Sequence, residues 1–558
     1  MFENIDLSAI LEEKTRELVK GLLNFIEQLS SNLREARAEN QRLRDENNRL
    51  KGEQGKPEIK GDAETTKDHS SEQERSKPRK RQAKKKTANI MIDRKEVLKV
   101  DQSILPGDAI FKGYEENVVQ DILLKTDNVC FLKEKYYSPS LGCTYLAELP
   151  SGYEGQFGPG IKALVLAFYH GGLMSEPKII EFLENVGIQI SKGTLSNLLV
   201  KGHEEFHAEK EAVYEAGLAS SMYQHIDDTS TRVNGQNQSC HVVCNPFYTA
   251  YFTKPGTPAL AGGAREERLS VLDVLRQGRK RVYLLNAEAL TYLGGMPFSE
   301  VTRCTLEAWR SETVMAEKTF LHELDRRIPI LNKQHRSAVL SAAAVAAYHA
   351  ERGVSIVQTL VCDDAPQFKW LTRWLALCWI HAGRHYKKLE PVVALHQTLL
   401  KDFLTRFWVY YDRLLEYRQN PMTVDAVRLE AEFDALFGAP SGYAELDKRM
   451  AATRAHKDSL LLVLKFPELP LHNNPAELGA RRRVRKRDVS FGPRTEDGKQ
   501  AWDTFMTLAA TTKKLNVSFY EYVRDRILKK NNIPPLSELI QIAAHELMHR
   551  QPFSLAYP

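Results

Sequence analysis

The chain has 558 residues, too many for one compact core and enough for about three or four units; 42% of them are hydrophobic, which excludes a chain disordered throughout. The net charge of +6 is modest, but basic residues crowd at 77–86 and 481–487, the distribution of a protein that meets phosphate backbones in more than one place. Seven cysteines, with no CxxC pair, exclude a disulfide framework and a cysteine-rich zinc site and point to a reducing compartment.

The N-terminus is charged and polar, with no secretory apolar region. The stretch Ala338–Ala350 is rich in small residues but contains Tyr348 and His349 and is too short to span a bilayer. The chain therefore reads as soluble and cytoplasmic, without a membrane partner.

Residues 18–50 carry a heptad pattern. Val19, Ile26, Leu33, Asn40 and Asn47 fall on one seam position, and Leu22, Leu29, Ala36, Leu43 and Leu50 on the other. Apolar seams with Asn at two positions predict a parallel two-stranded coiled coil, hence a homodimer, because a buried Asn fixes register and strand number. The alternative is a lone amphipathic helix packed on the body. Residues 53–96 are rich in Lys, Glu, Gly, Ser and Pro and read as a disordered tether, in which Lys77, Arg79, Lys80, Arg81, Lys84, Lys85 and Lys86 form a basic, DNA-facing run.

From 97 to 150 a small β-containing unit is expected, with strands at Ala109–Phe111, Val129–Leu132 and Cys143–Leu149. Residues 151–215 read as helical: Ile161–Tyr169, Pro177–Asn185 and, after a turn at Val186–Ile188, Lys192–Lys201 capped by Ser191. The last two resemble a helix-turn-helix, with Lys192 and Asn197 available to a DNA groove.

The period then changes. Met222–Val233, Ser239–Asn245 and Phe247–Thr253 are β-rich and separated by Asn234–Gly235 and Asn245–Pro246 turn signals; a helix follows at Glu266–Arg276. After a helical stretch at about 280–350, the apolar strand Ser355–Cys362 ends in Asp363–Asp364. Three antiparallel strands, a helix and a buried strand ending in an acid are the order of an RNase H-like α/β core, expected here over 216–530 with a second helical insertion at about 385–465. Asp227 lies within the first strand, Asp363 ends the later one, and Glu477 opens a helix after Asn473–Asn474–Pro475. Carboxylates so placed could converge on two divalent cations. Neighbouring residues on a strand face opposite ways, so Asp227 and Asp228 cannot both point to one site.

The residues around these acids resemble the transposase family of insertion-sequence 66 (IS66) elements. His225-Ile-Asp-Asp-Thr229 is similar to that family's His-Ala-Asp-Glu-Thr, and Cys362-Asp-Asp-Ala-Pro-Gln-Phe368 to its Asp-Gly-Tyr-Ala-Gly-Tyr segment. Cys378-Trp-Ile-His-Ala382 with Arg384 resembles its Cys-Trp-Ala-His-Ala-Arg block, and Asn473-Asn-Pro-Ala-Glu477 its Asn-Asn-x-Ala-Glu. The resemblance selects Asp227 and Asp363 over their neighbours. It implies a DDE-type transposase, with Asp227, Asp363 and Glu477 as catalytic and metal-binding acids for Mg²⁺ (Mn²⁺ as substitute). It further implies DNA cleavage at element ends with strand transfer, nucleoid association and small helper proteins as partners. The chain departs from the family in lacking a cysteine-rich segment before the helical hairpin, in having Leu478 where a basic residue is usual, and in the stretch at 280–350.

Arg481, Arg482, Arg485, Lys486 and Arg487 follow the third acid closely and are expected to contact DNA phosphates. Cys378 and His381 are three residues apart on one helix face, which allows a metal pair or a buried structural histidine. His545-Glu546-Leu-Met-His549, on an expected C-terminal helix in 531–558, matches the zinc-protease pattern, but residues 550–558 hold no third His, Asp or Glu. A DNA-binding protein without catalysis, derived from a transposase, is the alternative to an active enzyme.

Overall fold

The computed structural model describes residues 12–50, 91–101, 104–106, 109–122, 124–255, 264–352 and 356–550. The basic run at 77–86 lies outside them. A 38-residue helix, α1 (Glu13–Leu50), comes first. It meets the body through Leu23, Asn24 and Glu27, a face that adjoins the heptad seam and half-buries its Val19 and Ile26. Leu22, Leu29, Leu33 and Leu43 of the seam remain about half exposed.

Among the described residues of 91–134 there is no regular strand, and the expected strands Ala109–Phe111 and Val129–Leu132 are absent. Their side chains are mostly exposed and pair with no neighbouring strand, so sequence propensity has nothing to act on there. Only β1 (Lys135–Ser138) and β2 (Cys143–Leu146) pair, as a hairpin. Next, α2 (Pro159–Leu166) runs into a π turn, Ala167–Gly171. The hairpin of helices follows as expected: α3 (Glu176–Asn185), then α4 (Lys192–Val200), capped by Ser191 Oγ accepting the Thr194 N–H. Helix α5 (Glu204–Ala219) leads into the sheet.

Strands β3 (Tyr223–Val233) and β4 (Gln236–Cys244) form a hairpin whose turn residues Asn234 and Gly235 both have positive φ, 48° and 75°, as a two-residue turn between twisted strands requires. Strand β5 (Thr249–Pro255) completes an antiparallel trio. Then come α6 (Ala264–Leu275), β6 (Val282–Tyr283), α7 (Ala287–Leu293), α8 (Glu300–Ala308), β7 (Met315–Ala316), α9 (Glu317–Arg327) and α10 (Lys333–His349). The stretch read as an extra insertion thus ends in a core helix, because Val339 and Ala342–Tyr348 of α10 are sealed from solvent. Strands β8 (Thr359–Cys362) and β9 (Trp374–Leu377) add in parallel, giving the order β5-β4-β3-β8-β9.

Past the sheet come α11 (Trp379–Lys387), α12 (Ala394–Gln419), α13 (Thr423–Gly438), α14 (Ala444–Arg454), α15 (Lys457–Leu460) and α16 (Leu462–Lys465), a helical block before α17 (Asn474–Ser490). Glu27 of α1 caps α12 from outside: its carboxylate accepts the N–H of Val392 and Val393 at 2.9 and 2.7 Å. The chain closes with α18 (Glu496–Lys514), α19 (Phe519–Ile527) and α20 (Leu536–Arg550).

Helix α18 also closes the β5 edge of the sheet. The outward N–H groups of Thr249, Tyr251 and Thr253 donate to Thr511 Oγ1, Thr507 Oγ1 and Asp503 Oδ2. Four helical residues rise about 6 Å and two strand residues about 6.8 Å, so side chains at i, i+4 and i+8 can serve alternate strand residues in turn. The unpaired edge is thereby satisfied by a helix rather than by another chain. No helix among the described residues is long and apolar enough to cross a membrane.

Candidate active site

The parallel register of β3 and β8 pairs His225 with Val361. Extended by two residues, past the end of β8, that register would bring Asp227 beside Asp363, and the repulsion between the two carboxyls agrees. Asp227 opposes Val242 across the β3–β4 ladder. Helix α17 packs over these two strands, and Gly479 permits it: a Cβ there would lie 2.7 Å from Val242 Cγ1. Pro475 sits in the first turn of α17 and Glu477 follows, so the third acid arrives on the helix that crosses the first.

The electrostatics agree with convergence. Burial, then repulsion from Asp363, Asp228 and Glu477, pushes the Asp227 carboxyl up to about 7. Burial, with smaller contributions from Asp364 and Glu477, also raises Asp363. Asp228 rises to about 6, mainly through burial, with Glu267 and Asp363 adding repulsion and Gln367, which donates to it at 3.1 Å, opposing them. Glu477 is thus felt at Asp227 rather than at Asp228. Carboxyls that hold their protons this far are a site short of positive charge, and an all-oxygen donor set suits a hard cation such as Mg²⁺.

Glu477 has a guanidinium partner. Arg384 Nη1 lies 3.1 and 3.0 Å from its two carboxylate oxygens, and Arg481 Nη2 lies 3.4 Å from Oε2. Asp227, Asp363 and Glu477 do not draw their ligand oxygens into one group within 4.8 Å; among the described residues, Asp364, His381 and His385 do so.

One buried carboxamide ties three of the sequence motifs together. Asn473 Nδ2 donates to Ile226 O at 2.7 Å, which leaves Oδ1 to accept from His225 Nδ1–H at 3.0 Å. The Asn473 N–H meets Cys378 Sγ at 3.3 Å, and the same sulfur caps α11 by accepting the His381 N–H. Burial pushes His225 down to about 3 and the Cys378 thiol up to about 12, so both are neutral partners. Cys378 and His381 are therefore not a metal pair: the sulfur faces backbone, while the His381 ring points to Asp364 at 3.3 Å. Sequence reading missed the roles of Asn473, His225 and Arg384, although all three stand in the quoted motifs. It also missed His385, whose spacing of four from His381 was available as a signal.

The basic run after Glu477 divides. Arg481 and Arg485 are exposed, and Lys192 and Asn197 are exposed on α4. Arg482 donates to His170 O and Gly171 O, and Arg487 to Ser230 O. Lys486 is fully buried, with Nζ 2.9 Å from Met174 O and 3.1 Å from the Tyr169 ring centre, so the expected phosphate contact is corrected there. Arg483 is equally buried, against Asp503, Thr253 and the Trp502 ring. Helical periodicity turns half of a basic run inward, and composition alone does not show which half. On α20, His545 and His549 share an exposed face with their Nε2 atoms 3.0 Å apart, but no third ligand joins them among the described residues.

Residues 333–501 match the model of a protein family described as "Transposase IS66 family". That span holds Asp363, the Cys378–Arg384 block and Glu477. Uncharacterized protein y4jO of Sinorhizobium fredii (strain NBRC 101917 / NGR234) is 31% identical to the chain over 331 residues, which cover 59% of this chain and 99% of that protein. On these matches, the chain belongs to the IS66 family of transposases.

Proposed function

We propose that the chain is a DDE-type transposase that cuts DNA at element ends and joins the freed 3′-hydroxyl to target DNA, with Asp227, Asp363 and Glu477 as its metal-holding acids. The observation that carries the reading is the strand register that, extended past β8, would bring Asp227 beside Asp363 under the helix bearing Glu477. The order β5-β4-β3-β8-β9, three strands antiparallel and two parallel, supports an RNase H-like core. With Mg²⁺ or Mn²⁺ bound, the three acids would hold a Lewis acid that lowers the pKa of a water or 3′-hydroxyl and steadies the leaving oxygen.

The chain's own groups divide the remaining work. Asn473 and His225 fix the start of α17 against β3, and Gln367 holds Asp228 aside. Arg384 and Arg481 neutralise Glu477 while no cation does, and with Arg485 they form a basic rim for phosphate. Lys192 and Asn197 on α4 are the DNA-reading candidates, and the exposed α1 seam is the surface for pairing two chains.

The test is cleavage of labelled DNA carrying the element's own ends, with Mg²⁺ or Mn²⁺, for wild type and Glu477→Gln. Metal-dependent nicking by the wild type alone is the expected outcome. Binding without nicking by either protein would move the reading to a DNA-binding derivative without catalysis.

A further inference from the structure

Asp364 follows an acid of the candidate active site but faces the other way. Its Oδ1 lies 3.3 Å from His381 Nε2 and 3.8 Å from His385 Nε2, and the two imidazoles stand edge to face on α11 with centres 4.7 Å apart. Three ligand atoms from two elements therefore lie within 4.8 Å of one another. A tetrahedral ion with bonds of about 2.0–2.1 Å sets its ligand atoms about 3.3 Å apart, so the cluster already approaches such a shell.

A second observation points the same way. His385 Nε2 is sealed from solvent yet makes no hydrogen bond among the described residues, and Asp364 is too distant to supply one. Buried ring nitrogens are rarely left so, unless a partner is missing. The cluster opens on a cavity of about 50 Å³, also lined by Cys378, Arg449, Thr453 and His456, which leaves room for one ion and a water. The Cys378 sulfur is already engaged by two backbone N–H groups, so the fourth position falls to water.

We propose that Asp364, His381 and His385 form a binding site for one zinc-class divalent ion, separate from the acids of Asp227, Asp363 and Glu477. Two imidazoles and one carboxylate favour Zn²⁺, Co²⁺ or Ni²⁺ over Mg²⁺. The Arg449 guanidinium on the same wall opposes any divalent ion, so the two imidazoles and the carboxylate must outweigh that repulsion. The ion clasps α11 to the chain just beyond β8. The site does not rest on the strand-transfer reading.

The experiment uses the full chain carrying His545→Ala, which removes the other imidazole pair, stripped with chelator and titrated with Co²⁺. The expected result is the intense visible bands of a tetrahedral, nitrogen-ligated site, saturating at one Co²⁺ per chain, with Co²⁺ on the three acids adding only weak octahedral absorption. Those bands should survive Asp227→Asn and be lost in His381→Ala/His385→Ala. Circular dichroism checks the fold of the double variant, and Asp364→Asn, which keeps side-chain size, should weaken binding at least tenfold. Absence of tight Co²⁺ or Zn²⁺ uptake would overturn the site. So would bands that persist in the double variant, or bands lost with Asp227→Asn.

Discussion

Replacing Asp227 by Asn should stabilise the metal-free protein. Folding carries this carboxyl from 3.8 to about 7, chiefly through burial and then the charge of Asp363. Between these values the folded state holds the Asp227 proton more tightly than the unfolded one, so this group's contribution to stability is most favourable below about pH 4 and is lost as pH rises to about 7. At about 1.4 kcal/mol per tenfold change, the full penalty above neutrality has an upper bound of about 4 kcal/mol. Asp228 and Asp363 share the repulsion and redistribute protons when one charge goes, so about 2 kcal/mol is the expected gain. Asparagine can still accept the Asp228 N–H, which now meets Asp227 Oδ1 at 2.9 Å. Chemical unfolding in chelator, at about pH 8 and about pH 5, should show the variant ahead at the higher pH and the gap closing at the lower. Added Mg²⁺ should raise the melting temperature of the wild type and leave the variant unmoved. A variant less stable than wild type at about pH 8 in chelator would refute the account of a charge-starved site.

Gly479→Ala should cost about 1–3 kcal/mol and most of the cleavage activity, because the added methyl meets Val242 Cγ1 at 2.7 Å, and Val242→Ala should restore part of both. Asn473→Ala leaves the Ile226 carbonyl and the His225 imidazole without their partner; a loss of about 2–3 kcal/mol in unfolding measurements, with nicking reduced further, is expected. In a salt titration of DNA binding, Arg485→Ala should lower the slope by about one, whereas buried Lys486→Met should leave the slope unchanged. Lys192→Ala/Asn197→Ala should weaken end binding without changing melting temperature, since both side chains are exposed on α4.

What the sequence shows well is what local chemistry decides. The Asn234–Gly235 turn, the Ser191 cap and the apolar run ending at Cys362 each settle their own conformation, and all three stand where local rules put them. The proposed acids are picked out only by the family resemblance, since a strand interior, a strand end and a proline-opened helix are local features that many acids share. What stays hidden is set by partners far along the chain. The burial of Lys486 depends on Tyr169 and Met174, and Ala338–Tyr348 reads as bland small residues until β6, α6 and α7 pack on it. The expected strands at 109–111 and 129–132 fail in the opposite way, since apolar content without a pairing edge makes no sheet. The direction of His381 is decided by Asp364, not by its spacing from Cys378.

The Asn473 carboxamide has a consequence for how the third acid is placed. Because Asn473 grips β3 directly and meets the cap of α11, the placement of Glu477 is measured from the sheet and not along the intervening chain. The block α12–α16 packs on α11 through Trp379 and Tyr386, so it braces the second acid's neighbourhood, but it does not itself set the distance from Glu477 to the sheet. One amide thus ties the helix of the third acid to the strand of the first, across 247 residues of sequence.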